Sequence, residues 1–292
     1  MANLKEIRNR ITSVGSTMQI TSAMKMVSAA KLKKAQDAIT QMRPYSTKLQ
    51  EILVNISASL DLSENAYSEN REVKNVLIVG VTSNRGLCGG FNNNIIKKVK
   101  TLLNEDYKNT NAKVLCLGKK INETFKRTDN YYSNSNIKDG EFIFNNLNFS
   151  NTSEIASTLM ELFLEKEFDK VVVVYNSFKN AAIQEVTAEQ LLPIESNVTD
   201  ESDLSSTEYM FEPSKMEIVS DLIPKSLKIQ FHKGLLDSFA SEHGARMTAM
   251  HKATDNAKEM KKDLTISYNK ARQAAITSEI LEIVGGAEAL NN

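Results

Sequence analysis

Fourteen residues near the C-terminal end keep an unbroken alternation of three- and four-residue spacings. They are Leu236, Phe239, His243, Arg246, Met250, Ala253, Ala257, Met260, Leu264, Ser267, Ala271, Ala274, Ser278 and Leu281. Such a period places every one of them on a single stripe of an α-helix, the seam of a coiled coil. Few globular domains can bury a helix this long along its whole length, so the spacing points to a rod. From Ala253 onward most of the stripe residues are small, which predicts a close and therefore thin helix pair. Pro224 lies near the start of the run, where it is expected to kink the helix, and Gly285-Gly286 is expected to end it.

The N-terminal segment supplies a partner. Residues 3–58 contain one proline, Pro44, and one glycine, Gly15. Leu4, Ile7, Ile11, Val14 and Met18 repeat the same spacing, and Leu32, Ala35, Ile39 and Met42 resume it. Between them Thr21, Lys25 and Ser28 fall on the stripe. The seam is therefore expected to break there and to pass to Ile20, Met24 and Val27. A helix of this length spans about 80 Å at 1.5 Å per residue. The simplest assembly is an antiparallel coiled coil of the two terminal helices.

The middle reads differently. Val76–Thr82, Ala112–Gly118 and Lys170–Asn176 are short apolar strands, and Ile183–Leu192 is an edge strand. Phe91–Tyr107, Lys119–Arg127 and Ser153–Glu165 read as helices. Strands alternating with helices predict a mostly parallel sheet covered on both faces. Residues 59–72 and 195–208 are polar loops. The fold class is thus α/β plus a long antiparallel coiled coil, with the α/β domain inserted between the terminal helices. The expected divisions are 1–58, 59–208 and 209–292.

Charge is balanced overall, with 36 Lys and Arg against 36 Asp and Glu, so no global attraction to nucleic acid or membrane follows. Its distribution is uneven. Residues 1–50 hold nine basic residues against Glu6 and Asp37. Residues 195–212 hold Glu195, Asp200, Glu201, Asp203, Glu208 and Glu212 and no Lys or Arg. A basic arm and an acidic segment point to partners of complementary charge. The basic helix admits three readings: a solvated face, a nucleic-acid arm, or a contact for acidic protein loops. Tyr45 is its only aromatic residue, which weighs against nucleic acid. No apolar run of about 20 residues exists, so no transmembrane helix is expected. The N-terminus lacks the apolar core of a signal peptide.

Catalytic motifs are sparse. Gly86-Leu-Cys-Gly-Gly-Phe91 follows a strand and precedes a helix, the setting of a phosphate cradle. It lacks the Walker lysine and is not GxGxxG, so glycines allowing tight turns and backbone packing are the simpler reading. His232, His243 and His251 are the only histidines, and the last two are eight residues apart, too far to share a metal. Surface or seam positions are expected for them. Cys88 and Cys116 have no neighbouring partner for metal or redox chemistry. No cofactor, metal or catalytic residue is expected.

Several segments resemble one family. Ile276-Thr-Ser-Glu-Ile-Leu-Glu-Ile-Val-Gly-Gly-Ala-Glu-Ala289 resembles the signature of ATP synthase gamma subunits along its whole length, through Ile276, Thr277, Glu279, Glu282, Gly286 and Ala287. Ala240-Ser-Glu-His-Gly-Ala-Arg-Met-Thr-Ala-Met250, Ala253-Thr-Asp-Asn256 and Tyr268-Asn-Lys-Ala-Arg-Gln273 are close to the family pattern. So are Lys5-Glu-Ile-Arg8, Ile20-Thr-Ser-Ala-Met-Lys-Met-Val27 and Arg43-Pro-Tyr45. The glycine loop is similar to the family's SDRGLCGGLN-like stretch, with Asn84 and Phe91 as departures. The match is strong at both ends and weak in the middle.

That resemblance implies a central rotor shaft inside a ring of three alpha and three beta subunits. Its base would stand on the membrane c ring beside an epsilon subunit, at the cytoplasmic face of the inner membrane in a bacterial-type complex. It implies that the inserted domain is Rossmann-like and holds no nucleotide, and it implies no catalytic site. The expected ring contacts are Met24, Lys25, Lys31, Lys33, Lys34, Arg272, Gln273, Thr277 and Glu279. Tyr209 and Glu212, in Tyr-Met-Phe-Glu-Pro, are the expected contacts with the c ring and epsilon. Ile276, Ile280, Leu281, Ile283 and Val284 are expected to lack a partner helix and to turn in an apolar sleeve.

Overall fold

A computed structural model describes residues 4–57, 66–69, 71–137, 140, 143–181, 183–194 and 215–290. Two helices dominate it, α1 (Leu4–Ser57) and α5 (Lys215–Leu290). Both run through a proline, Pro44 in α1 and Pro224 in α5. α5 also runs through Gly285 and Gly286, contrary to the expected stop. A helical glycine costs only about 1 kcal/mol relative to alanine, and neither of these two adopts a positive φ. Contacts divide the chain into two compact units, one of residues 1–28 with 247–292 and one of residues 29–246.

The first unit is a helix pair. Thr21 meets Thr254, Lys25 meets His251, and Gly15 lies under the side chain of Lys261. The residue numbers run in opposite directions, so the pair is antiparallel. On α1 the seam is Leu4, Ile7, Ile11, Val14, Met18, Thr21, Lys25 and Ser28, each buried or half-buried. The expected break at Thr21–Ser28 does not occur. Thr21 is 8% exposed and Ser28 2%, whereas Ile20 is 60% and Val27 57% exposed. Polar residues hold the seam because each finds a partner. The Thr21 hydroxyl shares a 2.8 Å bond with that of Thr254, and Ser28 Oγ donates to the Met24 carbonyl at 2.8 Å. A hydrogen-bonded small hydroxyl fits a helix interface without a desolvation penalty.

On α5 the buried stripe runs Met250, Thr254, Ala257, Lys261, Leu264, Tyr268 and Ala271. Met260 and Ser267, assigned to the seam by spacing, are exposed, and so are Ala274 and Ser278. The contact stripe keeps the three-four period but takes its alternate members one residue later. It therefore carries Lys261 and Tyr268 besides the small Ala257 and Ala271, while Ser267, Ala274 and Ser278 of the expected small run lie off the contact face. Every residue from 272 to 287 is exposed, because α1 supplies no described partner beyond Leu4.

The second unit is built on a five-stranded sheet of order β3-β2-β1-β4-β5. Its strands are β1 (Asn75–Val81), β2 (Asn111–Leu117), β3 (Tyr131–Tyr132), β4 (Lys170–Phe178) and β5 (Gln184–Leu192). β1 pairs in parallel with β2 and β4, β2 pairs in parallel with β3, and β5 closes one edge antiparallel to β4. The two-residue β3 was not legible as a strand. Helices α2 (Phe91–Thr101), α3 (Lys119–Phe125) and α4 (Phe149–Leu164) belong to the unit, with α1 from Ala29 onward and α5 as far as Arg246. α2 ends earlier than expected, in a π-helical turn at Leu102–Asp106. α4 starts earlier, because Asn148 Oδ1 accepts from the Asn151 N–H at 2.9 Å and caps it.

Alternation along the strands divides the core. Val76, Ile78, Val114, Cys116, Val172 and Val174 face Phe91, Ile95 and Val99 of α2 and Ile121 and Phe125 of α3. Leu77, Val79, Leu115, Leu117, Val171 and Val173 face Leu159 and Phe163 of α4 and Leu227, Phe231 and Leu235 of α5. A Cβ on Gly234 would lie 3.4 Å from the Tyr175 ring, so α5 packs closely on that ring. Glu189 then ties strand to helix, accepting from Tyr175 Oη at 2.6 Å and from Gln230 Nε2 at 2.7 Å. Gly118 is required where it stands: its φ is +103°, and a Cβ there would collide with the Thr82 carbonyl.

Candidate functional site

The glycine loop shows first what this domain is built to do. Leu87 and Gly89 both adopt positive φ, 63° and 59°. A Cβ on Gly86 would meet nothing within 4 Å, and one on Gly90 only the Asn94 side chain. The loop glycines are thus not sites of close backbone packing, as spacing alone predicted; only Gly89 needs its lack of a side chain. The loop is braced from beneath by Asn92. Its Oδ1 accepts from the Ser83 N–H at 3.0 Å, and its Nδ2 donates to Ser83 Oγ at 2.9 Å and to Cys88 Sγ at 3.2 Å. Burial is the main force raising the Cys88 thiol above its usual range. Both cysteines are buried, and neither is in a disulfide.

Arg246 closes the loop from α5. Its Nη2 donates to the Arg85 carbonyl at 3.0 Å and its Nε to the Gly86 carbonyl at 3.3 Å. Nη1 pairs with Glu242 Oε1 at 2.6 Å and lies 3.3 Å from His243 Nδ1. All three side chains are buried. A phosphate cradle turns backbone N–H groups toward its ligand. This loop turns two carbonyls toward a cation supplied by the chain itself. Burial raises Glu242 despite the opposing pull of Arg246, and burial followed by the charges of Arg246 and Lys31 lowers His243 to about 3. His243 is therefore neutral, with Nδ1 as the acceptor. Arg246 and His243 lay on the expected stripe, but the ion pair was missed. Its signal was an acid and a base four apart at Glu242 and Arg246, on a face otherwise reserved for apolar groups.

The histidines divide three ways. His243 is buried beside Arg246. His232, expected at the surface or on a seam, is buried instead, with Nδ1 2.9 Å from Thr152 Oγ1. His251 is exposed at the edge of the coil. Among the described residues no group of His, Cys, Asp and Glu has a metal-binding arrangement.

The expected interface residues fall into separate patches. In the coil, Met24 and Lys25 are half-buried, and Lys25 Nζ lies 3.3 Å from His251 Nδ1. Ile20, Met26 and Val27 surround them as exposed apolar side chains, a surface that exists because the seam did not shift onto Ile20 and Val27. Arg272, Gln273, Thr277 and Glu279 are all exposed, with Thr277 Oγ1 donating to the Gln273 carbonyl at 2.9 Å. They lie on the unpaired end of α5, about 30 to 40 Å along the helix from His251 by the 1.5 Å rise. The structure thus does not bring them together with Met24 and Lys25. Past them Ile276, Ile280, Leu281, Ile283 and Val284 are exposed, as expected. In the second unit Lys31, Lys33 and Lys34 are exposed. Tyr209 and Glu212 lie outside the described residues. No described helix is long and apolar enough to cross a membrane.

The comparisons agree with this architecture. A family model described as ATP synthase matches residues 3–290. The ATP synthase gamma chain of Christiangramia forsetii is 62% identical over the whole of both chains, and that of Flavobacterium johnsoniae is 60% identical, again over the whole of both. Among solved structures, a chain of the Euglena gracilis mitochondrial ATP synthase aligns with a TM-score of 0.65 at 20% identity, covering 98% of this chain and 94% of that one. A chain from the central stalk and c ring of the Tetrahymena thermophila mitochondrial enzyme aligns with a TM-score of 0.56 at 24% identity, covering 80% of this chain and 99% of its own. Those two likenesses establish a shared fold. With the family model spanning nearly every residue and bacterial gamma chains more than half identical from end to end, the chain belongs to the ATP synthase gamma family.

Proposed function

We propose that the chain is the central rotor shaft of a bacterial-type, proton-translocating ATP synthase. It couples rotation of a membrane c ring to conformational change at the catalytic sites of an alpha/beta hexamer, and it performs no chemistry itself. The observation that carries this reading is the unpaired end of α5, a helix whose residues from 272 to 287 are all exposed and include five large apolar side chains. An apolar stretch of this kind needs a partner that excludes water. A sleeve of ring residues supplies one, and non-directional contacts can slide as the shaft turns. The glycine loop, closed by Arg246, supports the absence of a nucleotide site.

In this reading segments 1–58 and 209–292 form the shaft and 59–208 its globular base. The two helices differ in sequence on every side, so within a threefold ring each catalytic subunit meets a different face. Each face biases a different conformation, and rotation permutes the three biases. Met24, Lys25, Lys31, Lys33, Lys34, Arg272, Gln273, Thr277 and Glu279 meet the ring. Tyr209 and Glu212 meet the c ring and an epsilon subunit, which places the chain at the cytoplasmic face of the membrane as a peripheral subunit. Nucleic acid is not a partner in this reading.

Purification of the native chain tests it. Alpha and beta subunits should accompany it, and a bead fixed to the base of the reconstituted head should rotate during ATP hydrolysis. A chain that purifies without them, or binds a nucleotide at micromolar concentration alone, overturns the proposal.

A further inference from the structure

One nitrogen of the coil stands between two partners that need it in opposite states. His251 Nδ1 lies 3.3 Å from Lys25 Nζ and 3.4 Å from Asp255 Oδ2. The lysine ammonium has only donors, so it bonds to Nδ1 only through that atom's lone pair. The carboxylate has only acceptors, so it bonds to Nδ1 only when that atom carries a proton. The two contacts are mutually exclusive at any instant. An added proton also turns the imidazole from an acceptor for Lys25 into a like charge beside it.

The other charges nearby do not blur this choice. Between Thr21 and Ser28, α1 carries one charged residue, Lys25. Between Met247 and Ala257, α5 carries Lys252 and Asp255 besides His251. Lys252 adjoins His251 in sequence, and Lys258 lies beyond Asp255. Both add positive charge without offering an acceptor, so Asp255 is the one anion in this stretch able to receive the imidazolium proton. The imidazole is more than half exposed, so the proton comes from solvent and returns there.

We propose that His251 is a proton-operated latch on Lys25: the neutral imidazole holds the ammonium on the coil through Nδ1, and the imidazolium releases it and pairs with Asp255. Lys25 sits among Ile20, Met26 and Val27, the exposed apolar patch of α1. Held, its ammonium leans toward α5; released, it projects into the surroundings of that patch. Acidification thereby changes where the coil presents a positive charge. The consequence for turnover rests on the proposed role of Lys25 at the ring, whereas the latch does not.

Nitrogen NMR of the full chain with labelled histidine tests the latch. Burial lowers His232 and lowers His243 further, and a His251→Gln spectrum assigns the remaining ring. At pH 8 the wild type should show Nδ1 bare and Nε2 protonated. Lys25→Met, which removes the donor, should move the proton toward Nδ1, where Asp255 accepts it. Acid that protonates both ring nitrogens should abolish the difference between the two proteins. A protonated Nδ1 in the wild type at pH 8, or one tautomer shared by wild type and Lys25→Met, overturns the latch. In the assembled complex at low salt, the ratio of ATP turnover at pH 6 to that at pH 8 should differ between wild type and His251→Gln. If the tautomers behave as stated and this ratio does not differ, the latch stands and the assignment of Lys25 to the ring falls.

Discussion

Thr21 on α1 and Thr254 on α5 share a hydrogen bond of 2.8 Å between their hydroxyl oxygens, in the seam of the helix pair. Each hydroxyl also has a backbone acceptor within its own helix: Met18 O at 3.1 Å for Thr21 and Met250 O at 2.8 Å for Thr254. The one proton not used across the seam therefore has somewhere to go. The pair fixes which residues face each other without leaving a polar atom stranded. Replacing either threonine alone with valine should lower the stability of the full chain by about 1 kcal/mol, the usual net worth of such a bond. Replacing both should recover most of that loss, because two apolar groups of the same shape strand nothing. Thermal unfolding of the four members of the cycle checks this, and purely additive losses would show that the bond carries no coupling.

How much of this was legible beforehand depended on what distinguishes one face from another. The period of the terminal helices, the alternation of strands and helices, and the unpaired apolar end from Ile276 to Val284 all follow from spacing or composition, so they could be read. The register of the seam could not. Hydropathy ranks Ile20 and Val27 above Thr21 and Ser28, but it does not know that those hydroxyls find acceptors across or within the helices. The same blindness put Met260 and Ser267 on the α5 stripe in place of Lys261 and Tyr268, whose long apolar stems can cover a seam while their polar ends reach out. The Arg246 clamp was missed because it joins residues 160 positions apart. Of the candidate site, the apolar tip was visible in the sequence; the His251 contacts depend on which side chains face each other across two helices.

Arg246 offers a sharper test of packing. Changing it to methionine strands the buried Glu242 and frees the Arg85 and Gly86 carbonyls. Breaking a buried pair in this way costs about 3–5 kcal/mol. The double change Arg246→Met with Glu242→Leu should be far milder, since no charge is then left buried. Urea unfolding of the full chain measures both. Amide exchange in the loop around Leu87 should quicken in both variants, because both lose the clamp.

Buried histidine makes the second unit acid-sensitive with a definite sign. His243 falls from an ordinary 6.5 to about 3 in the folded chain. A depressed value means that the folded state resists a proton that the unfolded chain accepts. Its contribution is therefore fully present above pH 6.5 and is lost as pH falls from there toward 3. At full loss it amounts to about 5 kcal/mol, at 1.36 kcal/mol per unit. His243→Gln should flatten the acid limb of stability measured by urea unfolding. Taking the difference from wild type removes the opposite trend of Glu242, whose raised value makes stability fall as pH rises. Parallel acid limbs in the two proteins would contradict a buried neutral His243.

Lys31, Lys33 and Lys34 of α1 bear on the proposed ring contact. Lys31, Lys33 and Lys34 are exposed, and single exposed ion pairs are worth about 1 kcal/mol or less. The informative change is therefore the triple substitution to Glu. It should lower turnover of the assembled complex, and unfolding of the isolated chain, read in parallel, accounts for the charge that Lys31 lends to buried Glu242 and His243. The deficit should shrink at high salt, because exposed contacts are screened. Equal turnover at every ionic strength would remove these lysines from the interface.

The apolar end of α5 separates chain from complex most cleanly. Ile280, Leu281 and Ile283 are exposed and touch no other described helix. Substitution of exposed residues usually changes stability by less than about 0.5 kcal/mol per site. Serine at all three positions should therefore leave the urea midpoint of the isolated chain close to the wild type and improve its solubility. In the assembled complex the same three side chains would lie against a sleeve, where each loses the burial of an apolar group, roughly 1.5–3 kcal/mol when complete. The variant should assemble less tightly or turn over more slowly, and the loss should resist salt, unlike that of the lysine variant. Alanine substitutions, which keep an apolar surface and helix propensity, should fall between wild type and serine. If the serine variant assembles and turns over normally, the tip needs no sleeve, and the reading of this helix end as a bearing fails. If it destabilises the isolated chain, the exposed residues have a partner within the chain, and the picture of an unpaired helix end is the part that must change.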